Sequence, residues 1–152
     1  MTAPARVSLV TLGVRDVEAA AAFYERLGWT RSNASVPGDV AFFATTTGTA
    51  VALWGDADLA ADAARTRPAG PAGAADPAAF RGVSLAMNLG SPAEVDAVLD
   101  AARAAGATVT KPAVATEWGG YSGYFADPDG HAWEVAHNPH WPLDAEGRVT
   151  LP

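Results

Sequence analysis

Tyr124-Phe125-Ala126-Asp127-Pro128-Asp129-Gly130-His131-Ala132-Trp133-Glu134-Val135 decides the fold, because the chain writes the same phrase twice. The earlier copy is Phe42-Phe43-Ala44-Thr45-Thr46-Thr47-Gly48-Thr49-Ala50-Val51-Ala52-Leu53, and the two align without a gap. Phe43/Phe125, Ala44/Ala126, Gly48/Gly130 and Ala50/Ala132 are identical. Each copy reads as an aromatic-rich strand, a tight turn closed by glycine and a second strand, which is a β-hairpin. A repeated hairpin implies a duplicated half-domain with its copies about one shared axis. The one charge without a counterpart is Glu134, opposite Ala52.

The repeat extends upstream. Val7-Ser8-Leu9-Val10-Thr11-Leu12 aligns with Val83-Ser84-Leu85-Ala86-Met87-Asn88, and an amphipathic helix follows each run. In the first helix Asp16 is the expected N-cap, Ala20, Phe23 and Leu27 form the apolar stripe, and Gly28 ends it. In the second, Ser91-Pro92-Ala93-Glu94 reads as a capping box with proline at the first helical position. Val95, Val98, Leu99 and Ala102 make its inner face, and Gly106 follows the last turn. Each half is therefore expected to run strand, helix, strand, strand, strand. The chain reads as one α+β domain over 1–152: module one about 5–55, a linker about 56–80, module two about 81–137 and a tail 138–152.

Composition removes several functions. The chain has 152 residues, no cysteine and a formal net charge of -7. Without cysteine there is no disulfide framework, thiolate nucleophile or Cys-based zinc site. The acidic balance and a single lysine, Lys111, argue against nucleic acid, whose phosphates need clustered basic groups. No apolar run reaches the ~20 residues that span a bilayer, and the N-terminus lacks a signal pattern, so a cytoplasmic protein is expected. Ala, Arg, Asp and Gly outnumber Lys and Asn as in GC-rich bacterial coding sequences. In the linker, Asp58 to Arg65 can form a short helix. Pro68 to Pro77 cannot continue it, and reads as a surface connection or as a flap. Trp141 and Leu143 suit a tail that packs on the body or on a partner chain.

The paired pattern resembles the vicinal oxygen chelate superfamily, which holds glyoxalase I, extradiol dioxygenases, fosfomycin-resistance enzymes and bleomycin-binding proteins. The resemblance covers about 5–137. Its most specific part is Asp127-Pro128-Asp129-Gly130 with the downstream Glu134, and Val14-Arg15-Asp16 ahead of Ala22-Phe23-Tyr24-Glu25-Arg26-Leu27-Gly28-Trp29 fits the family's first helix. It implies two βαβββ modules related by a pseudo-two-fold, their mixed sheets curled around one cavity with helices outside, and a homodimer. In metal-using members four ligands come from the first and last strands of the modules. Carried over, those positions are Leu9, Ala52, Ser84 and Glu134, of which only Glu134 binds a divalent ion well. No stoichiometric metal and no other cofactor are expected. His131, His137 and His140 sit near Glu134 in sequence, but alternation points His131 and His137 away from it. A site of three histidines would require the tail to fold back.

Alternation counted from Glu134 places Ala132, Ala136, Ala50, Ala52, Trp54, Val40, Phe42, Ser122, Tyr124, Leu9, Thr11, Ser84, Ala86 and Asn88 on the cavity side. The opposite set is uniformly apolar: Val10, Leu12, Val51, Leu53, Leu85, Met87, Phe43, Phe125, Trp133 and Val135. Aromatics with few polar anchors are what a small-molecule site contains. The expected ligand-binding residues are Thr11, Phe42, Trp54, Ser84, Asn88, Trp118, Tyr124 and Glu134. Trp118, between Glu117 and two glycines, either tucks over the cavity or is exposed for a ligand. Glu134 is the single candidate for catalysis. Buried without a cation its pKa would rise, leaving it either a general base or a protonated anchor. Two functions follow: a metal-free protein that sequesters an aromatic or polyketide-like natural product, or an enzyme (lyase, isomerase or dioxygenase-type) working through Glu134.

Overall fold

A computed structural model of the chain describes residues 4–66, 76 and 78–152. They fall into two units, Met1–Arg67 and Pro68–Pro152. In the first, strand β1 (Leu9–Val14) runs parallel to β3 (Ala50–Gly55), which pairs antiparallel with β2 (Val40–Ala44). Helix α1 (Val17–Arg26) connects β1 to β2. It begins at Asp16, whose Oδ1 accepts the Ala19 N–H at 2.9 Å, and the chain leaves it through Gly28 at φ +100°. Val17, Ala20, Ala21, Phe23 and Tyr24 are its buried residues, and Leu27 is only half-buried. Tyr24 meets Phe43 with ring centroids 5.8 Å apart, so the helix lies on the Phe43 side of the sheet.

The expected second strand of this module does not form. Between α1 and β2 only isolated bridges occur, Arg31 to Phe43 and Val36 to Val40. The segment Ser32-Asn33-Ala34-Ser35-Val36-Pro37-Gly38 is made of turn residues, and its hydroxyls and a distant carboxylate take up the backbone donors. Ser35 Oγ accepts the Phe42 N–H at 2.9 Å, and Glu18 accepts the Gly38 N–H at 2.8 Å. After β3, helix α2 (Asp56–Asp62) fills the start of the expected linker. Most of the Pro68 to Pro77 stretch, read as connection or flap, lies outside the described residues.

The second unit has the full pattern. Strand β4 (Ser84–Asn88), helix α3 (Pro92–Ala105), then β5 (Thr108–Ala115), β6 (Tyr121–Ala126) and β7 (Ala132–His137) build a four-stranded sheet in the order β4-β7-β6-β5. Ser91 Oγ accepts the Glu94 N–H at 3.3 Å, while the Glu94 carboxylate reaches one residue further back, to the Gly90 N–H at 2.7 Å. Gly106, left-handed at φ 109°, ends the helix. Val95, Leu99, Ala102 and Ala105 are buried, and Val98 is half-buried. A Cβ added at Gly123 would lie 2.8 Å from Leu99 Cδ1, which puts α3 on the Gly123 and Phe125 side of β6. Phe125 and Trp133 stack there with centroids 6.2 Å apart, a pair contributing about 0.5–1.5 kcal/mol beyond its buried area.

The two hairpin turns are built alike. Thr45 N–H donates to Thr49 O, and Asp127 N–H to His131 O, both at 3.1 Å, with Gly48 at φ +88° and Gly130 at φ +86°. The strand pairings also correct the upstream alignment. Leu9 sits opposite Ala50 and Ser84 opposite Ala132, so Leu9 corresponds to Ser84, not to Leu85. The β-branched and apolar run of β1 matches itself nearly as well one residue along, and only pairing to the last strand fixes the offset. The tail is folded on itself: Leu143 bridges Val149, Thr150 N–H donates to Pro142 O at 3.0 Å, and Arg148 pairs with Asp144 at 2.9 Å.

Candidate functional site

In the second unit the register assembles a row of side chains across the sheet. Tyr124 on β6 lies directly opposite Glu134 on β7, and Glu134 lies opposite Ala86 on β4. Directly paired residues share a face, so Ser84, Asn88, Ser122, Tyr124 and Glu134 all stand on one side. The other side goes to α3. Tyr121, opposite His137, donates its hydroxyl to Asp96 of that helix at 2.9 Å. The neighbours on the same side, Ala86, Ala132 and Ala136, are small. The parity counted from Glu134 therefore holds.

The centre of the row is electrostatically coupled. Burial first, then the facing Glu134 carboxylate, raise the Tyr124 phenol above its ordinary pKa, and Ser84 opposes them. The phenol thus faces the carboxylate in its protonated form, with Ser84 on β4 beyond the β7 strand. Ser84 Oγ also lies 3.3 Å from Leu85 O. Asn88, half-buried at the end of β4, extends the row. The counting had missed one member. Lys111 on β5 pairs with Tyr124, and its Nζ sits 5.9 Å from the ring centroid. Register shifts on both sides of Lys111 defeat simple alternation along β5. Its only sequence signal was being the sole lysine.

In the first unit Thr11, Ala52 and Phe42 are mutual strand partners, as are Gly13, Trp54 and Val40. Thr11, Phe42 and Trp54 are half-buried, on the side away from Leu53 and Phe43. Here α2 approaches the sheet at one point, since a Cβ added at Gly13 would meet Asp56 Cβ at 2.9 Å. Trp118 lies in the β5–β6 turn, off the strand row. Its indole folds over Gly120, where any added Cβ would collide with the ring, and it remains 47% exposed. The indole is thus exposed, and it lies against its own turn.

The histidines are occupied separately. His137 Nδ1 lies 3.0 Å from Leu89 O, on the side away from Glu134. His131 Nδ1 lies 3.3 Å from Arg81, and its N–H donates to Asp127 Oδ1 at 2.9 Å. His140 approaches the β5–β6 turn, with Nε2 3.7 Å from a Cβ added at Gly119. Among the described residues no three His, Asp or Glu side chains gather in a way that could hold a metal ion. The family positions Leu9, Ala52, Ser84 and Glu134 offer one carboxylate, one neutral hydroxyl and two hydrocarbon side chains. That donor set does not fit a divalent ion.

Comparison with known proteins places this geometry. The family model described as Glyoxalase/Bleomycin resistance protein/Dioxygenase superfamily matches residues 6–135. A glyoxalase-related enzyme from Fulvimarina pelagi is 35% identical, covering 97% of this chain and 99% of its own, with TM-score 0.82. A glyoxalase/bleomycin resistance protein/dioxygenase from Nocardioides is 30% identical over 90% of this chain and 85% of its own, with TM-score 0.67. A lactoylglutathione lyase from Agrobacterium tumefaciens, 24% identical over 93% of this chain and 100% of its own, has TM-score 0.66 and attests the fold alone. No curated protein sequence matches the chain.

Proposed function

Since the chain belongs to the glyoxalase/bleomycin resistance protein/dioxygenase superfamily, we propose that it binds a small organic molecule on the Glu134 face without a bound metal. The observation that carries this reading is the direct cross-strand pairing of Tyr124 with Glu134, which sets a phenol beside the one family-position carboxylate. With Leu9 and Ala52 unable to donate, the residues present favour ligand recognition over metal-assisted chemistry. Glu134 accepts from the ligand, Ser84 and Asn88 exchange hydrogen bonds with it, and Tyr124 offers a ring face. In the first unit Phe42, Trp54 and Thr11 present a half-buried aromatic face of their own. A flat aromatic or polyketide-like compound suits such side chains, and each stacked pair adds about 0.5–1.5 kcal/mol beyond area. Sequestering such a natural product would protect the producing or exposed cell. The protein acts as a homodimer.

Calorimetric titration with a panel of planar polyketides and aromatic antibiotics tests the reading. Micromolar binding is expected, with Glu134→Gln and Tyr124→Ala each weakening it about tenfold, or ~1.4 kcal/mol. Binding by no member of the panel, or binding indifferent to both substitutions, overturns it.

A second reading, catalysis, is favoured by the relative from Fulvimarina pelagi, described as a glyoxalase-related enzyme. In that case Glu134 would take a substrate proton and Tyr124, directly across the strand pair, would return one. Turnover of a hemithioacetal or catechol that disappears in Glu134→Gln, in metal-stripped buffer, would establish it.

A further inference from the structure

The polar row ends on a charge that the proposed function has not used. Lys111 is the chain's single lysine among ten basic residues, and β5 places it on the Glu134 face. Its ammonium lies 5.9 Å from the Tyr124 centroid, inside the range where a cation and a ring attract. That contact holds the long stem along the phenol instead of letting it roam. Three arginines are held in ion pairs: Arg31 by Glu18, Arg103 by Asp100, Arg148 by Asp144. Among the described residues no carboxylate oxygen lies within ion-pair distance of Lys111 Nζ. In a chain of net charge -7 this cation stands one strand from the phenol and two from the carboxylate.

We infer that Lys111 recognises the ligand, and that the ligand is therefore an organic anion: a flat molecule whose carboxylate or phenolate reaches the ammonium while its other edge donates to Glu134. The inference rests on the ligand face proposed above. The order across the sheet is cation, ring, carboxylate, so an acid with a hydrogen-bond donor at its far end meets matching chemistry at both ends. A cationic ligand would face repulsion at Lys111. A neutral one would forgo the only charge-assisted bond the β5 side can make.

Matched acid and amide probes provide the test: 2-naphthoate against 2-naphthamide, and anthraquinone-2-carboxylate against its carboxamide. Titration calorimetry on wild type should show each acid binding about tenfold more tightly than its amide, an advantage that shrinks as salt rises. Lys111→Met should erase that advantage and leave the amides within about twofold, while Lys111→Arg should keep most of it. Acids and amides binding equally to wild type, or Lys111→Met weakening both alike, overturns the inference. If both bind equally yet Glu134→Gln weakens both, the ligand face stands and only its anion preference falls. If none of the four probes binds, the face and the inference fall together.

Discussion

On α1, Glu18 leaves half of its side chain in water, yet its two oxygens take both Arg31 guanidinium nitrogens at 2.7 and 2.8 Å. It also accepts the Gly38 N–H. The Arg31 hydrogen bond, then the Gly38 amide, lower its pKa from 4.5 to about 2. A carboxylate whose pKa is depressed on folding stabilises above its unfolded pKa and loses that contribution as pH falls through the folded value. The difference in melting temperature between wild type and Glu18→Gln should therefore be constant near neutrality and shrink from pH 4.5 towards 2. A difference that is flat across that interval would refute it. Tyr124 titrates at the other end of the scale. Burial first and Glu134 second raise its phenol. Tyr121, which donates to Asp96, is raised as well, so ultraviolet titration of wild type should show late-ionising tyrosines, and Glu134→Gln should move part of that late signal back, since burial remains.

Among the elements, the β5–β6 pair depends on one missing side chain. A Cβ at Gly123 would lie 2.8 Å from Ala113 N, 2.8 Å from Leu99 Cδ1 and 2.9 Å from Lys111 O. Two of those neighbours are backbone and cannot rotate away. Gly123→Ala is expected to destabilise by about 1–3 kcal/mol and to disturb the Lys111 register, read as a lowered Tm and weaker ligand binding. The β6–β7 turn depends on Asp127, buried at 5% exposure, whose Oδ1 accepts from Asp129 N at 3.0 Å and His131 N at 2.9 Å. Asp127→Ala strands these amides and should cost about 1–3 kcal/mol by denaturant unfolding. The motif that pointed to the family thus keeps its aspartate for the turn.

For the whole molecule, two expectations follow. Purified protein should carry no stoichiometric metal, because Leu9 and Ala52 bring no donors and Ser84 a weak one. Elemental analysis finding about one Zn, Ni, Mn or Fe per chain, lost in Glu134→Ala, would contradict it. Terminal strands of both sheets expose apolar residues, Leu9 on β1 at 44% and Val114 on β5 at 48%, as does Val83 just before β4 at 61%. Such edges invite pairing with a second chain. Light scattering at micromolar concentration should return twice the chain mass.

The duplicated hairpin, the caps at Asp16 and Ser91, and the face shared by Ser84, Tyr124 and Glu134 were legible from the residues alone. Each depends on local chemistry or on strict alternation along short strands, and neither needs a partner to be known. Three matters required the tertiary structure. The first module's second strand gave way to turn residues pinned by Glu18, a carboxylate twenty positions from Gly38. Residue matching aligns Leu9 with Leu85, and pairing with the last strands decided for Ser84. Lys111 joined the row because shifts in β5 reset its facing, and Trp118 left it by folding over Gly120. Alternation is a rule about one strand, whereas bulges, loop anchors and the offsets between strands are settled by whichever distant group completes the hydrogen bonds.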